Sequence, residues 1–248
     1  MWYVITTKII KWNNSEGIVW LREEEKMIEL YDLGRCTHKP VKGMYEFIVD
    51  RASEFVEYSD LARALQHHAA NREKPGYSIS QEHFSEMCRI WVAAYRSGDF
   101  QINVPELTFP DTVTRFQKVK QTGRQIGILT SGSREFTEIL YSLPVGENRR
   151  LIDFVDEYLL GEEIGDKDHP ETFARLWDSR KGDIHSIYDD KLSVCEAAME
   201  GLRQAGGSAQ LYLVDRKGKY DQGELADKVN ALRAQGIKLI RSFDEVRD

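Results

Sequence analysis

Four stretches of this 248-residue chain carry side chains that could do chemistry together: Asp32, the cluster Thr130-Ser131-Gly132, Lys167, and the pair Asp189-Asp190. Each lies beyond the end of an apolar run that reads as a strand. A carboxylate, a hydroxyl, an ammonium and an acidic pair are the groups that phosphoryl transfer through a carboxylate uses. One carboxylate attacks phosphorus, the hydroxyl and the ammonium hold the phosphoryl oxygens, and the acidic pair holds a hard divalent ion that offsets charge. Separation along the chain is no obstacle, because the carboxyl ends of parallel strands open on one edge of a sheet.

Residues 124–133, RQIGILTSGS, show how such an end is built. Ile126, Ile128 and Leu129 form a buried strand, and Thr130 to Ser133 make a polar loop feeding a helix from Arg134 to Tyr141. Further strands are expected over 26–31, 154–160, 184–188, 210–214 and 237–240. Helices are expected after Pro170 and over 193–205 and 223–234. This alternation predicts an α/β fold with a mostly parallel, Rossmann-like sheet covered by helices on both faces. Between the first two strand ends, residues 44–97 turn helical, with inner faces made by Phe47, Ala52, Phe55 and Val56, by Leu61, Ala64 and Leu65, and by Phe84, Met87, Cys88, Trp91 and Val92. A helix beginning at Pro110, capped by Asp111, turns Val113, Phe116 and Val119 inward. Residues 2–22 read as a β-hairpin. His67 and His68 are adjacent and face apart on a helix, so they do not make a metal pair.

Composition narrows the function classes. Apolar content of 41% and charged content of 30% describe an ordinary globular chain. A net charge of −7 argues against a nucleic-acid partner, which needs a basic face, but leaves room for a small phosphorylated metabolite held at a local positive site. No run approaches the roughly 18 apolar residues of a membrane span, and the start shows no secretory leader. Three widely spaced cysteines, Cys36, Cys88 and Cys195, suit reduced thiols in the cytoplasm and give no zinc spacing.

The stretches ILTSGS (128–133), GDKDHPETF (165–173), IYDDKLSVCEAAMEGLRQAG (187–206) and RSFDEV (241–246), in that order, resemble the haloacid dehalogenase superfamily, and within it most closely the enolase-phosphatases of methionine salvage. The resemblance covers roughly residues 27–246. It implies an α/β core over 27–43 and 106–248, a helical cap over 44–105 that shapes substrate choice, and an extension over 1–26. It further implies a magnesium-dependent phosphatase working through an aspartyl-phosphate, as a monomer or small homo-oligomer. Carried over by position, Asp32 is the nucleophile and Lys167 stabilises the phosphoryl group. Thr130, Ser131 and Gly132 join Lys167 in binding phosphate. Asp32, the Gly34 carbonyl, Asp189 and Asp190 face the Mg2+.

The chain departs from this family at the second position after the nucleophile, where the family carries an acidic residue as general acid and base. Here Gly34 stands there, followed by Arg35 and Cys36. Gly34 cannot transfer a proton, and such a loss costs roughly two to four orders of magnitude in rate. His38 is near enough in sequence to stand in. Two further readings therefore stay open. One is a catalytically impaired relative with a binding or regulatory role, in which Arg35 places a fixed positive charge beside the phosphate. The other is carbon–halogen displacement at the same Asp, which the acidic pair disfavours because it points to a metal.

Overall fold

The computed structural model describes residues 27–39, 41, 43–71, 79–102, 107–145, 149–180 and 182–247. The hairpin expected over 2–22 lies outside these residues. Six parallel strands form the central sheet: β1 (Ile28–Tyr31), β2 (Gln125–Thr130), β5 (Glu157–Leu160), β6 (Ile184–Asp189), β7 (Gln210–Val214) and β8 (Lys238–Ile240). Their order is β5-β2-β1-β6-β7-β8. A small antiparallel pair, β3 (Pro144–Val145) with β4 (Arg149–Arg150), stands apart from it.

Alternate residues of each strand point to opposite faces, and the apolar ones divide accordingly. Ile28 and Leu30 join Leu129, Ile187, Leu211 and Leu213 beneath α7 (Pro170–Ser179), α8 (Leu192–Gln204) and α9 (Gly223–Ala234). Tyr31, Ile126, Ile128, Tyr188 and Tyr212 face α4 (Pro110–Gln121) and α5 (Arg134–Ser142). The helical block forms α1 (Met44–Glu54), α2 (Ser59–Asn71) and α3 (Gln81–Ser97), and its Ile48, Leu65, Met87, Cys88 and Trp91 belong to that second cluster. Trp91 meets Phe136 of α5 edge to face at 5.0 Å, a contact worth about 0.5–1.5 kcal/mol beyond area burial. On the other side of the sheet, α8 and α7 pack so closely that a Cβ on Gly201 would come within 2.1 Å of the Pro170 carbonyl oxygen.

The strand 26–31 reads as an apolar run, yet Glu29 within it is wholly buried. Arg115 Nη2 donates to both its carboxylate oxygens at 2.9 Å, and Arg124 Nη1 donates to one of them at 2.6 Å. The Tyr31 hydroxyl donates to the other at 2.5 Å. An unpaired carboxylate could not remain charged there.

Several expectations need correction. Asp111 does not cap α4; Phe109 occupies that place without a side-chain cap. Asp111 Oδ2 instead accepts from Arg216 Nη1 at 2.5 Å, from Ser242 Oγ at 2.7 Å and from the Phe243 amide at 2.7 Å, tying the carboxyl-terminal segment to α4. Phe55 and Val56 are exposed, because α1 ends at Glu54, and Ile48 and Ala52 carry its buried face. In α2, Ala62 rather than Ala64 is buried beside Leu61 and Leu65. The expected strand over 154–160 starts only at Glu157, after a 3-10 turn over Leu151–Phe154. A short helix, α6 (Gly161–Ile164), follows β5.

Candidate active site

The chain leaves β1 for β2 and β5 on one side and returns to β6 on the other, so the sheet has its switch point between β1 and β6. Crevices that receive ligands open there, at the carboxyl ends of the strands. Asp32 follows β1 directly, and its amide donates to the Tyr188 carbonyl at 2.9 Å, continuing the β1–β6 ladder one residue past the strand. Asp189 ends β6 and Asp190 follows. Oxygens of Asp32, Asp189 and Asp190 lie within 4.8 Å of one another, and all three residues are buried.

Lys167 enters this triad from the loop before α7. Its Nζ donates to Asp32 Oδ1 at 2.5 Å, to Asp189 Oδ2 at 2.7 Å and to the Leu129 carbonyl at 3.4 Å. The lysine leaves Asp32 Oδ2 out of its grip. Burial works against the Lys167 charge, but Asp189 and Asp32 outweigh it and raise its pKa, so the ammonium persists. Burial raises the Asp32 carboxyl; Lys167 opposes that shift, and Asp189 and Asp190 add to it. Asp190 is raised chiefly by burial and by Asp189, against the pull of Lys219, Arg35 and Lys167.

The loop after Asp32 is firmly built. Thr37 Oγ1 donates to the Leu33 carbonyl at 3.0 Å and pairs with the Tyr141 hydroxyl at 2.9 Å. Arg216 Nη2 donates to the Cys36 carbonyl at 2.9 Å. Arg35 is the one non-glycine residue with left-handed backbone among the described residues, at φ 58°. Its Nη1 lies 4.0 Å from Asp190 Oδ2. Gly34 sits beside the triad: a Cβ built on it would find Asp32 Oδ2 as its nearest atom, at 3.8 Å. His38 does not join the site. It is buried against Tyr141, with ring centroids 4.8 Å apart, and burial pushes its pKa down to about 3.

The hydroxyl cluster closes β2. Thr130 Oγ1 accepts from the Gly132 amide at 3.0 Å, and Ser133 caps α5 by accepting from the Phe136 amide at 3.3 Å. Gly132 fits this turn closely, since a Cβ there would stand 3.1 Å from the Phe136 ring. Ser131 is half-buried at the crevice, and its carbonyl accepts from Gln81 Nε2 at 2.8 Å. Gln81 opens α3, so the helical insertion reaches the site here.

Sequence reasoning missed Gln81. It also missed the β7–α9 loop, where Tyr220 Oη donates to the Asp190 carbonyl at 2.9 Å and Lys219 Nζ stands 3.8 Å from Asp190 Oδ2. The available signal was Asp215, directly after the apolar run QLYLV and on the same sheet edge. Its carboxylate accepts from the Lys219 and Tyr220 amides, each at 2.9 Å.

No protein-family model matches the sequence, and no curated protein does. Solved structures match the fold. A HAD phosphatase from Thermococcus onnurineus superposes with a TM-score of 0.54 at 18% identity, over 88% of this chain and 95% of its own. CbbY from Rhodobacter sphaeroides, solved with phosphate, gives 0.53 at 14% identity over 89% and 96%. The UTR4 protein of Saccharomyces cerevisiae gives 0.52 at 16% identity over 89% and 100%. The chain therefore has the HAD-type α/β fold. Among the described residues no helix is long and apolar enough to cross a membrane.

Proposed function

We propose that the protein is a phosphatase of a small phosphorylated metabolite, with Asp32 as the nucleophile. The observation that carries this reading is the Asp32–Lys167–Asp189 arrangement at the switch point, with Asp190 completing a buried carboxylate triad. The shared fold with a HAD phosphatase and with CbbY supports it. Asp32 Oδ2, free of the lysine, attacks phosphorus, and the bond to the leaving oxygen breaks with its electron pair. Lys167, with Ser131 and the Thr130-Gly132 turn, holds the phosphoryl oxygens. Water then attacks the phosphorus of the aspartyl-phosphate, releasing inorganic phosphate and restoring Asp32.

The triad fits a hard divalent cation: three carboxylates with oxygens within 4.8 Å are the oxygen donors magnesium takes. Asp32 and Asp190 would hold it, with Asp189 and the Gly34 carbonyl alongside, and it would supply compensation for the phosphate's negative charge. The insertion α1–α3 acts as a cap, with Gln81 its contact to the phosphate loop. An enolase-phosphatase-like substrate is the expectation from the sequence.

The test is phosphate release from a panel of phosphorylated metabolites, with and without magnesium, comparing wild type with Asp32→Asn. Turnover that needs both the metal and Asp32 is the expected result. A second reading rests on Gly34, which provides no proton: a binding or regulatory protein with this fold. Under it, folded protein binds magnesium and releases phosphate from nothing in the panel.

A further inference from the structure

A third strand end reaches both of the carboxylate-bearing ones. Asp215 and Arg216 follow β7, which lies beyond β6 from β1 in the sheet. Asp215 is buried, and its amide donates to the Ile240 carbonyl at 2.7 Å, extending the β7–β8 ladder past the strand. From this anchored start the chain sends one side chain to each of the other two ends.

Toward β1, Arg216 bonds the loop behind Asp32: its Nη2 donates to the Cys36 carbonyl at 2.9 Å. The guanidinium that makes this bond is itself fixed. Its Nη1 donates to Asp111 Oδ2 at 2.5 Å, and its central carbon lies 4.2 Å from the Phe109 ring centroid and 4.6 Å from that of Phe243. The next loop residue, Thr37, is held at the same corner, where its carbonyl accepts from the Phe109 amide at 3.3 Å and from Thr112 Oγ1 at 3.2 Å. Thr37 Oγ1 closes the loop back on the Leu33 carbonyl at 3.0 Å, beside Asp32. Toward β6, the Asp215 carboxylate takes the Lys219 and Tyr220 amides, each at 2.9 Å. Tyr220 Oη then donates to the Asp190 carbonyl at 2.9 Å and accepts from the Leu192 amide at 3.2 Å, so the hydroxyl is oriented from both sides. Lys219 Nζ adds a second bond to the Asp190 carbonyl, at 3.2 Å.

We propose that the end of β7 is a brace that sets the spacing of Asp32 and Asp190, with Arg216 and Tyr220 as positioning residues. Each holds a backbone carbonyl in one of the two segments whose carboxylates converge. The spacing matters because a hard divalent ion shared by the two carboxylates needs its oxygens at set distances. It matters again because an attacking carboxylate loses rate steeply when it is displaced from its line of approach. This inference rests on the phosphatase reading and adds the residues that position its site.

The experiment compares wild type with Tyr220→Phe, Arg216→Lys and Ser242→Ala by magnesium affinity from calorimetry, by kcat and KM for an aryl phosphate, and by urea midpoint. Tyr220→Phe deletes only the hydroxyl and should weaken magnesium binding about tenfold. Arg216→Lys keeps the charge but loses the fork, and should lower kcat about 10–100-fold with KM little changed. Ser242→Ala loosens the same corner from the Asp111 side with the bond to Cys36 intact, and should lower the urea midpoint alone. Wild-type affinity in Tyr220→Phe, or wild-type kcat in Arg216→Lys, would overturn the brace and leave the phosphatase standing. Losses in Ser242→Ala as large as in the other two would overturn it as well, since any loosening of the fold would then do the same. If Arg216→Lys does not fold, Tyr220→Phe against Ser242→Ala decides. A wild type that binds no magnesium and releases no phosphate would overturn both the brace and the phosphatase reading.

Discussion

The two strand ends that supply the carboxylates are built in opposite ways. At the end of β6, Asp189 and Asp190 are held on every side: Lys167 and the Lys191 amide take the first, and Tyr220, Lys219 and Arg35 surround the second. At the end of β1, Asp32 is gripped through Oδ1 alone, and the loop behind it carries a bare glycine and a left-handed arginine. The β6 end is equipped to hold charge in place; the β1 end leaves Asp32 Oδ2 open beside Gly34. On the proposed reading, holding a phosphoryl group and turning it over have separate requirements, and the two strand ends divide them.

Changes at the two ends should show in different measurements. Asp32→Asn removes the proposed nucleophile and should lower turnover by about three orders of magnitude or more, measured as phosphate release, while magnesium binding weakens less. Lys167→Met removes the cation common to both ends. Two buried carboxylates then lose their partner, and urea unfolding should show a loss of about 3–5 kcal/mol. Arg35→Gln strips a positive charge 4.0 Å from Asp190 and should tighten magnesium binding by calorimetry. About tenfold is expected at low salt, shrinking as salt is added because the guanidinium is partly exposed; an unchanged dissociation constant would show that Arg35 does not act on the triad.

A pH-dependent effect concerns the loop's inner wall. Folded His38 titrates near 3 against an ordinary 6.5, so between those values the unfolded chain binds more protons and stability falls as pH drops. His38→Phe should flatten that acid limb by about 1.4 kcal/mol per pH unit, read from urea midpoints across the range.

The strands and the polar side chains at their ends were legible because both are local. Ile184 to Tyr188 is an apolar run, and the acids that follow must emerge on the open edge of the sheet; the same logic located Asp32, Thr130 and Lys167. Residues whose role depends on distant partners were misread or missed. Asp111 follows the rule for a helix cap, yet Arg216, Ser242 and Phe243 claim it from more than a hundred residues away. Glu29 sits in a strand where Arg115, Arg124, Tyr31 and Tyr188 make it tolerable. Tyr220 reaches the site from a turn with no periodic pattern to announce it, and Gln81 from the first position of α3, ahead of that helix's buried face. Gly34 was plain from the sequence, but that a Cβ there would lie 3.8 Å from Asp32 Oδ2 needed the coordinates.

In the proposed mechanism Asp32 receives the phosphoryl group. An activated aryl phosphate needs no acid to depart, whereas water attacking the aspartyl-phosphate finds no base at position 34, so the intermediate should accumulate. Wild-type protein mixed with such a substrate and magnesium, quenched in acid and digested, should yield the Asp32 peptide heavier by one phosphoryl group, after a burst of about one equivalent of phenol. Steady turnover with that peptide unmodified, or undiminished turnover by Asp32→Asn, would contradict the account.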